Sequence, residues 1–174
     1  LKSILIVLAA VLLAGCASTP LEALSTQIDS SDWKVGFQKD FGEDEGYIRE
    51  FVPQDETIDS WTKLVSVEFL EGELRPLRDF VSDFSAQRSE QCPDTQMEIL
   101  SESEYTITYQ FSFPECMGHQ AQSEVTRIYT GNDGLHRLSY AEKTSKLSEE
   151  TIKQWLAEFD KAYIVKGPNK ARIR

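Results

Sequence analysis

No Cys-x-x-Cys pair, His-Glu-x-x-His, phosphate-binding glycine loop, Gly-x-Ser-x-Gly elbow or haem-attachment Cys-x-x-Cys-His occurs in the 174 residues. Dithiol exchange, zinc-peptidase chemistry, P-loop nucleotide hydrolysis, elbow-type serine hydrolysis and covalent haem binding therefore lack their sequence signatures. Soft metal ligands are scarce, with three cysteines, two histidines and two methionines. Positive charge is in deficit, 18 Lys and Arg against 29 Asp and Glu for a net charge of -11. Such a surface repels nucleic acid and anionic phospholipid, so neither is expected as a partner of the body. It suits a soluble acidic envelope protein, with a specific cation or basic-ligand binder as the alternative. The longest apolar run, from Ile4 to Ala14, is shorter than the roughly 20 residues a membrane-spanning helix needs. There is no internal repeat and no low-complexity segment.

That short run fits the core of a signal peptide. Lys2 precedes it and the small residues Ala14 and Gly15 close it, the order of charge, apolar core and cleavage site that secretion requires. Leu13-Ala14-Gly15-Cys16 resembles the lipobox of bacterial lipoproteins. The resemblance implies that residues 1–15 are removed, that Cys16 carries the lipid and begins the mature chain, and that the lipid is the contact with the membrane. A multiply acylated cysteine holds a domain durably, since each buried CH₂ contributes about 0.8 kcal/mol. Ala17 stands where an inner-membrane retention signal of the family has Asp, which implies the outer membrane, on its periplasmic side. The competing reading, a buried N-terminal helix, is opposed by Ser18-Thr19-Pro20 directly after the run.

About 160 residues remain after Cys16, enough for one domain with a hydrophobic core. Residues 16–31 are small and polar and read as a tether, with a brief helix over Leu21 to Leu24 as an option. The domain is expected over 32–166. Trp33, Val35 and Phe37 alternate with polar residues as in a half-buried strand; Tyr47 to Val52 and Lys63 to Leu70 follow as strands, with Trp61 covering the entrance or serving as a ligand platform. Gly42-Glu43-Asp44-Glu45-Gly46 lacks the ligand spacing of a calcium loop and reads as a hairpin turn. Leu77, Phe80, Val81 and Phe84 recur at helical spacing behind Pro76, and Cys92-Pro93 ends that helix. Met97 to Leu100 and Tyr105 to Phe113 form the next hairpin. The odd positions of the second strand are all large and apolar, either core beneath a helix or the wall of a lipid-binding cavity.

Pro114-Glu115-Cys116-Met117-Gly118-His119 is the one cluster with chemical potential. Cys116, Met117 and His119 are soft ligands of the kind copper selects, and thiol beside imidazole suits a nucleophile. Against both, an exported compartment oxidises thiols and Cys92 is the other cysteine of the mature body, so a Cys92–Cys116 disulfide is expected. No catalytic residue and no cofactor is assigned. Strands from Gln120 to Thr130 and Leu135 to Glu142 flank Gly131-Asn132-Asp133-Gly134, whose residues tolerate the positive φ of a primed turn; His136 is expected on an exposed sheet face. A second helix begins at Ser148, carries Ile152, Trp155, Leu156, Phe159 and Tyr163 on its core side, and runs to Gly167-Pro168; residues 167–174 form a basic tail, a frayed end or a contact for headgroups or a partner.

The order is that of an α+β domain: a largely antiparallel sheet of six to seven strands packed with two amphipathic helices. It resembles, loosely and without a diagnostic motif, the PsbP/Mog1-like fold of small extracytoplasmic binding proteins. The expected function is a non-catalytic lipoprotein that binds a protein or other envelope component as an adaptor. The competing classes are a periplasmic hydrolase using carboxylates and a soft-metal binder at Cys116, Met117 and His119.

Overall fold

The computed structural model of the chain describes residues 22–42 and 45–166. Cys16, the lipobox, two of the three acidic residues of the Gly42–Gly46 stretch and the 167–174 tail lie outside them. In chain order the elements are β1 (Glu22–Ser25), β2 (Trp33–Gly42), β3 (Gly46–Pro53), β4 (Lys63–Glu71), α1 (Leu77–Gln91), β5 (Gln96–Glu102), β6 (Thr106–Phe113), β7 (Gln122–Thr130), β8 (Gly134–Glu142), α2 (Glu149–Phe159) and β9 (Tyr163–Lys166). The expected α+β architecture is present. Seven strands make one sheet in the order β2-β3-β4-β8-β7-β6-β5, antiparallel at every step, and β1 pairs with β9 in a separate two-stranded ribbon.

Strand alternation divides the core between the two faces of this sheet. On one face Val65 and Val67 of β4, Leu138 and Tyr140 of β8, and Val125 and Tyr129 of β7 meet Trp155 and Phe159 of α2, with Leu24 and Ile164 from the ribbon. Tyr140 stacks on Trp155 at 4.4 Å between ring centres, and the Tyr129 hydroxyl donates to the Phe159 carbonyl at 2.8 Å. On the other face Ile107, Tyr109, Phe111, Ile128 and Leu135 pack under Leu77 and Val81 of α1. The aromatic stripe of β6 is therefore largely core, as its alternation with polar residues requires. Complete burial of a side chain the size of Phe159 contributes about 1.5–3 kcal/mol, which makes these two helix contacts the main apolar support of the sheet.

α2 starts where its sequence directs: the Ser148 hydroxyl accepts the Thr151 amide at 3.0 Å, and Glu149 and Glu150 occupy the first turn, near the positive end of the helix dipole. It ends earlier than its apolar stripe suggests, at Phe159 instead of beyond Tyr163. Lys161 and Ala162 donate to the Glu158 and Phe159 carbonyls in tight final turns, and Tyr163-Ile164-Val165 then extends as β9. β-branched and aromatic residues favour strand when a partner strand is available. That partner is β1, whose residues fall inside the segment read as tether; neither a tether nor a helix describes Glu22–Ser25.

Two further expectations change. β2 is an edge strand with a bulge at Gly36; its start meets α2, where Trp33 packs edge-on against Trp155, whereas Val35 and Phe37 farther along are exposed. The 131–134 hairpin turn forms, with Gly131 N–H donating to the Gly134 carbonyl at 2.8 Å, yet neither Asn132 nor Asp133 has positive φ. A primed turn is absent there because the amides of both residues turn instead to the Glu22 carboxylate, at 2.9 and 3.1 Å.

The Cys92–Cys116 disulfide joins the end of α1 to the turn after β6 across 24 residues, with Cα atoms 5.9 Å apart. Closing a loop of that length in the unfolded chain is expected to stabilise the fold by about 3 kcal/mol. Urea unfolding with and without reductant measures it: the midpoint falls on reduction, and an unchanged midpoint refutes the contribution.

Candidate functional site

α1 covers the β5-β6-β7 side of its sheet face and reaches β8 at Leu135 and Arg137. Where it stops, a cavity of about 590 Å³ opens over β3, β4, β8 and β7. Its walls have three origins. Ile58 and Trp61 come from the β3–β4 connection, Phe111 and Phe113 from the end of β6, and Met117 and His119 from the disulfide-closed turn, which Cys92 anchors to the last turn of α1. Trp61 packs with Val52, Leu64 and Ala141, while the Lys143 ammonium lies 4.7 Å from its ring centre. A smaller cavity of about 300 Å³, with polar residues such as Glu98, Gln110 and Ser123 in its lining, lies toward β5 and Leu147.

The floor of the larger cavity is ionic. Glu50, Glu124, Arg88 and Arg137 line it together with Ser66. Register places them on one face: Glu50 stands opposite Ser66, Glu68 opposite Arg137, and Glu124 of β7 lies opposite Ala141, two residues beyond Thr126 in the row of Ser66 and Ser139. Arg137 lies 3.1 Å from Glu68 and 4.0 Å from Glu124. Glu124 also accepts the Thr126 hydroxyl at 2.5 Å, whereas Glu50 has the Ser66 hydroxyl at 3.5 Å. The Phe84 ring of α1 receives both cations, with the Arg88 guanidinium carbon 5.0 Å and that of Arg137 5.5 Å from its centre.

Removal from water dominates the electrostatics of this floor. Burial pushes the Glu124 carboxyl above the ordinary range, a shift that Arg137, Thr126 and Arg88 oppose and Glu68 reinforces. Burial likewise raises Glu50, against the Ser66 hydrogen bond and Arg137. Burial acts to lower the Arg137 pKa, but the surrounding Glu68, Tyr109, Glu124 and Glu50 more than offset it and the guanidinium stays charged. Three carboxylates thus share one deeply placed arginine. The buried Nε atoms of Arg88 and Arg137 and the Tyr109 hydroxyl have no hydrogen-bond partner among the described residues.

Several residues singled out from sequence take different places. The sulfur of Cys116 is bonded to Cys92 and so offers no thiolate to a metal or substrate; Met117 is 82% exposed and His119 exposed, both at the cavity mouth. Among the described residues no group of three or more His, Cys, Asp or Glu side chains is placed to hold a metal ion. His136 is not on an exposed face. It is fully buried on the opposite, α2 side of the sheet, stacked on Phe69 at 4.5 Å with Nε2 3.4 Å from Glu22. The ribbon of β1 and β9 covers that part of the sheet, which reading β1 as tether left open.

Glu50, Glu68, Arg88, Glu124 and Arg137 were not singled out from sequence. Their signal is parity: Glu68 shares a strand face with Leu64, Glu124 with Ile128, and Arg137 with Leu135 and Ala141, so each charge lies in a core-facing row. No curated protein and no solved structure matches the chain. A family model matches residues 25–166, strands β2 to β9 and both helices included, and the chain belongs to that uncharacterised family.

Proposed function

We propose that this chain is a lipid-anchored protein of the bacterial envelope whose α+β domain acts as a non-catalytic binding module, with the cavity beside α1 as its ligand seat. The cavity carries the reading. It sets apolar side chains such as Ile58, Trp61, Phe113 and Met117 beside converging charged groups in one concave opening, which gives a ligand both contact area and polar anchors. The lipobox-like Leu13-Ala14-Gly15-Cys16 supports the anchor and outer-membrane placement, and the acidic composition supports a soluble body facing the periplasm.

A photo-crosslinking residue placed at Met117 in cells tests the seat, with the exposed Ser82 of α1 as the control position. A specific adduct at Met117 and none at Ser82 is expected, and its mass shows whether the captured molecule is a protein or a small ligand. No adduct at Met117 above the control overturns the reading. Cys16→Ser tests the anchor separately: the protein is expected to leave the membrane fraction, and unchanged membrane retention refutes lipid attachment there.

A further inference from the structure

We propose that the cavity beside α1 takes a ligand with an apolar body and a protonated amine, the amine set in the negative field of Glu50 and Glu124, which both line the floor. The inference rests on the cavity's being the ligand seat and adds the chemical class. The two cations at the floor are each engaged in part: Arg137 forms an ion pair with Glu68 at 3.1 Å and Arg88 donates to Gln91 at 3.3 Å, both guanidinium groups lie against Phe84, and the Nε of each has no hydrogen-bond partner among the described residues. The carboxylates retain capacity. Each can accept about four hydrogen bonds, yet Glu50 has one contact from Ser66, at 3.5 Å, and Glu124 has the Thr126 hydroxyl and an Arg137 nitrogen as far as 4.0 Å away. Both line the cavity.

An anionic ligand would bring a further negative charge to a floor where Glu50, Glu68 and Glu124 already surround Arg137. A neutral apolar ligand would leave most of the hydrogen-bonding capacity of two desolvated carboxyls unused. An ammonium resolves both problems: it donates three hydrogen bonds and supplies the missing positive charge. Trp61, Phe113 and Met117 accommodate the apolar body, the aromatic rings being compatible with a nearby cation and the thioether able to adapt to its shape.

Titration calorimetry of the full-length lipidated protein in zwitterionic micelles tests this with hexylamine, hexanoate and hexan-1-ol, probes that share one chain and differ in head group. Near pH 7 hexylamine is expected to bind about tenfold more tightly than either of the others, the value of one desolvated charge pair. Glu50→Gln and Glu124→Gln are expected to remove that preference while leaving hexan-1-ol binding unchanged, and Glu50→Gln alone decides the matter should the more buried Glu124→Gln fail to fold. The Gln variants also correct for partition into micelles. Equal binding of all three probes, or preference for hexanoate, overturns the amine assignment and leaves the seat intact. Absence of binding by any probe overturns the seat as well.

Discussion

Arg137→Met is expected to lower stability near neutral pH by about 3–5 kcal/mol, the cost of leaving buried charge without its partner. Methionine fills much of the same volume, so the loss is electrostatic more than steric. Glu68, Glu124 and Glu50 would then face one another with only Arg88 nearby, in a region where burial already pushes Glu124 and Glu50 upward. The pH dependence has a definite sign. A carboxyl with a raised folded-state pKa holds its proton in the native state while the unfolded chain, titrating near 4.5, has lost it; native stability is then fullest below that value and declines as pH rises through the folded-state range. Removing Arg137 raises those carboxyls further. The deficit of the variant should therefore be large near pH 7 and shrink toward about pH 5. Urea midpoints at the two pH values measure it, and an equal deficit at both would mean that packing, not charge, explains the loss. Adding Glu68→Gln to Arg137→Met should recover part of the stability, because it removes one of the uncompensated charges.

The same residues show what the sequence makes readable and what it does not. Periodicity identified both helices and the central strands because an apolar stripe at period 3.6 or 2 is a local property: Leu77 and Val81 for α1, Trp155 and Phe159 for α2, and Ile107, Tyr109 and Phe111 for β6 all bury as their spacing indicates. The disulfide followed from arithmetic, since only Cys92 and Cys116 remain after Cys16. Long-range pairing is not local. β1 contains only Glu22-Ala23-Leu24-Ser25, and nothing within four residues reveals that its partner lies about 140 positions away at Tyr163–Lys166. Two neighbouring features depend on that pair: β9 takes Tyr163, which by spacing alone continues the α2 stripe, and the ribbon encloses His136, which by alternation alone faces solvent.

The ionic floor is illegible in local sequence for a related reason. A glutamate every other position on a strand ordinarily marks the wet face of a one-sided sheet, and Glu68 and Glu124 fit that expectation. This sheet carries helices on both faces, so the row that holds Glu68 and Arg137 is largely enclosed, though less so than the row that holds Val65 and Val67. The number of covered faces, and the extent of the α1 cover over one of them, depends on the assembled sheet. The cavity is the part of that second face α1 fails to cover, and no local pattern encodes it.

Glu22→Ala is expected to cost about 2–5 kcal/mol and to detach the β1–β9 ribbon from the hairpin turn beneath it. The Glu22 side chain is fully buried and accepts the amides of Asn132 and Asp133, and its carboxylate lies so close to Gly131 that a Cβ there would come within 2.1 Å of an oxygen. Alanine would orphan two buried donors, each worth about 1–3 kcal/mol, and would leave the ring of His136 without its partner at 3.4 Å. Glu22→Gln keeps one acceptor oxygen but turns an amide donor toward the same N–H groups, so an intermediate loss is expected. His136 adds a pH signature. Burial lowers its pKa from 6.5, opposed by Glu22 and Asp133, and Nδ1 has no hydrogen-bond partner among the described residues, consistent with a neutral ring donating from Nε2. The unfolded chain protonates this histidine below about 6.5 while the native state resists, so its contribution to stability is intact above that value and is lost as pH falls. Without Glu22 to favour the charged ring, the folded-state pKa drops further and the acid loss steepens. Glu22→Ala should thus fall further behind the wild type near pH 5.5 than near pH 7.5, and amide exchange should accelerate first in β1, β9 and the 131–134 turn. Uniform exchange across the domain, or a pH-independent deficit, would show that the carboxylate neither clasps the turn nor supports the histidine.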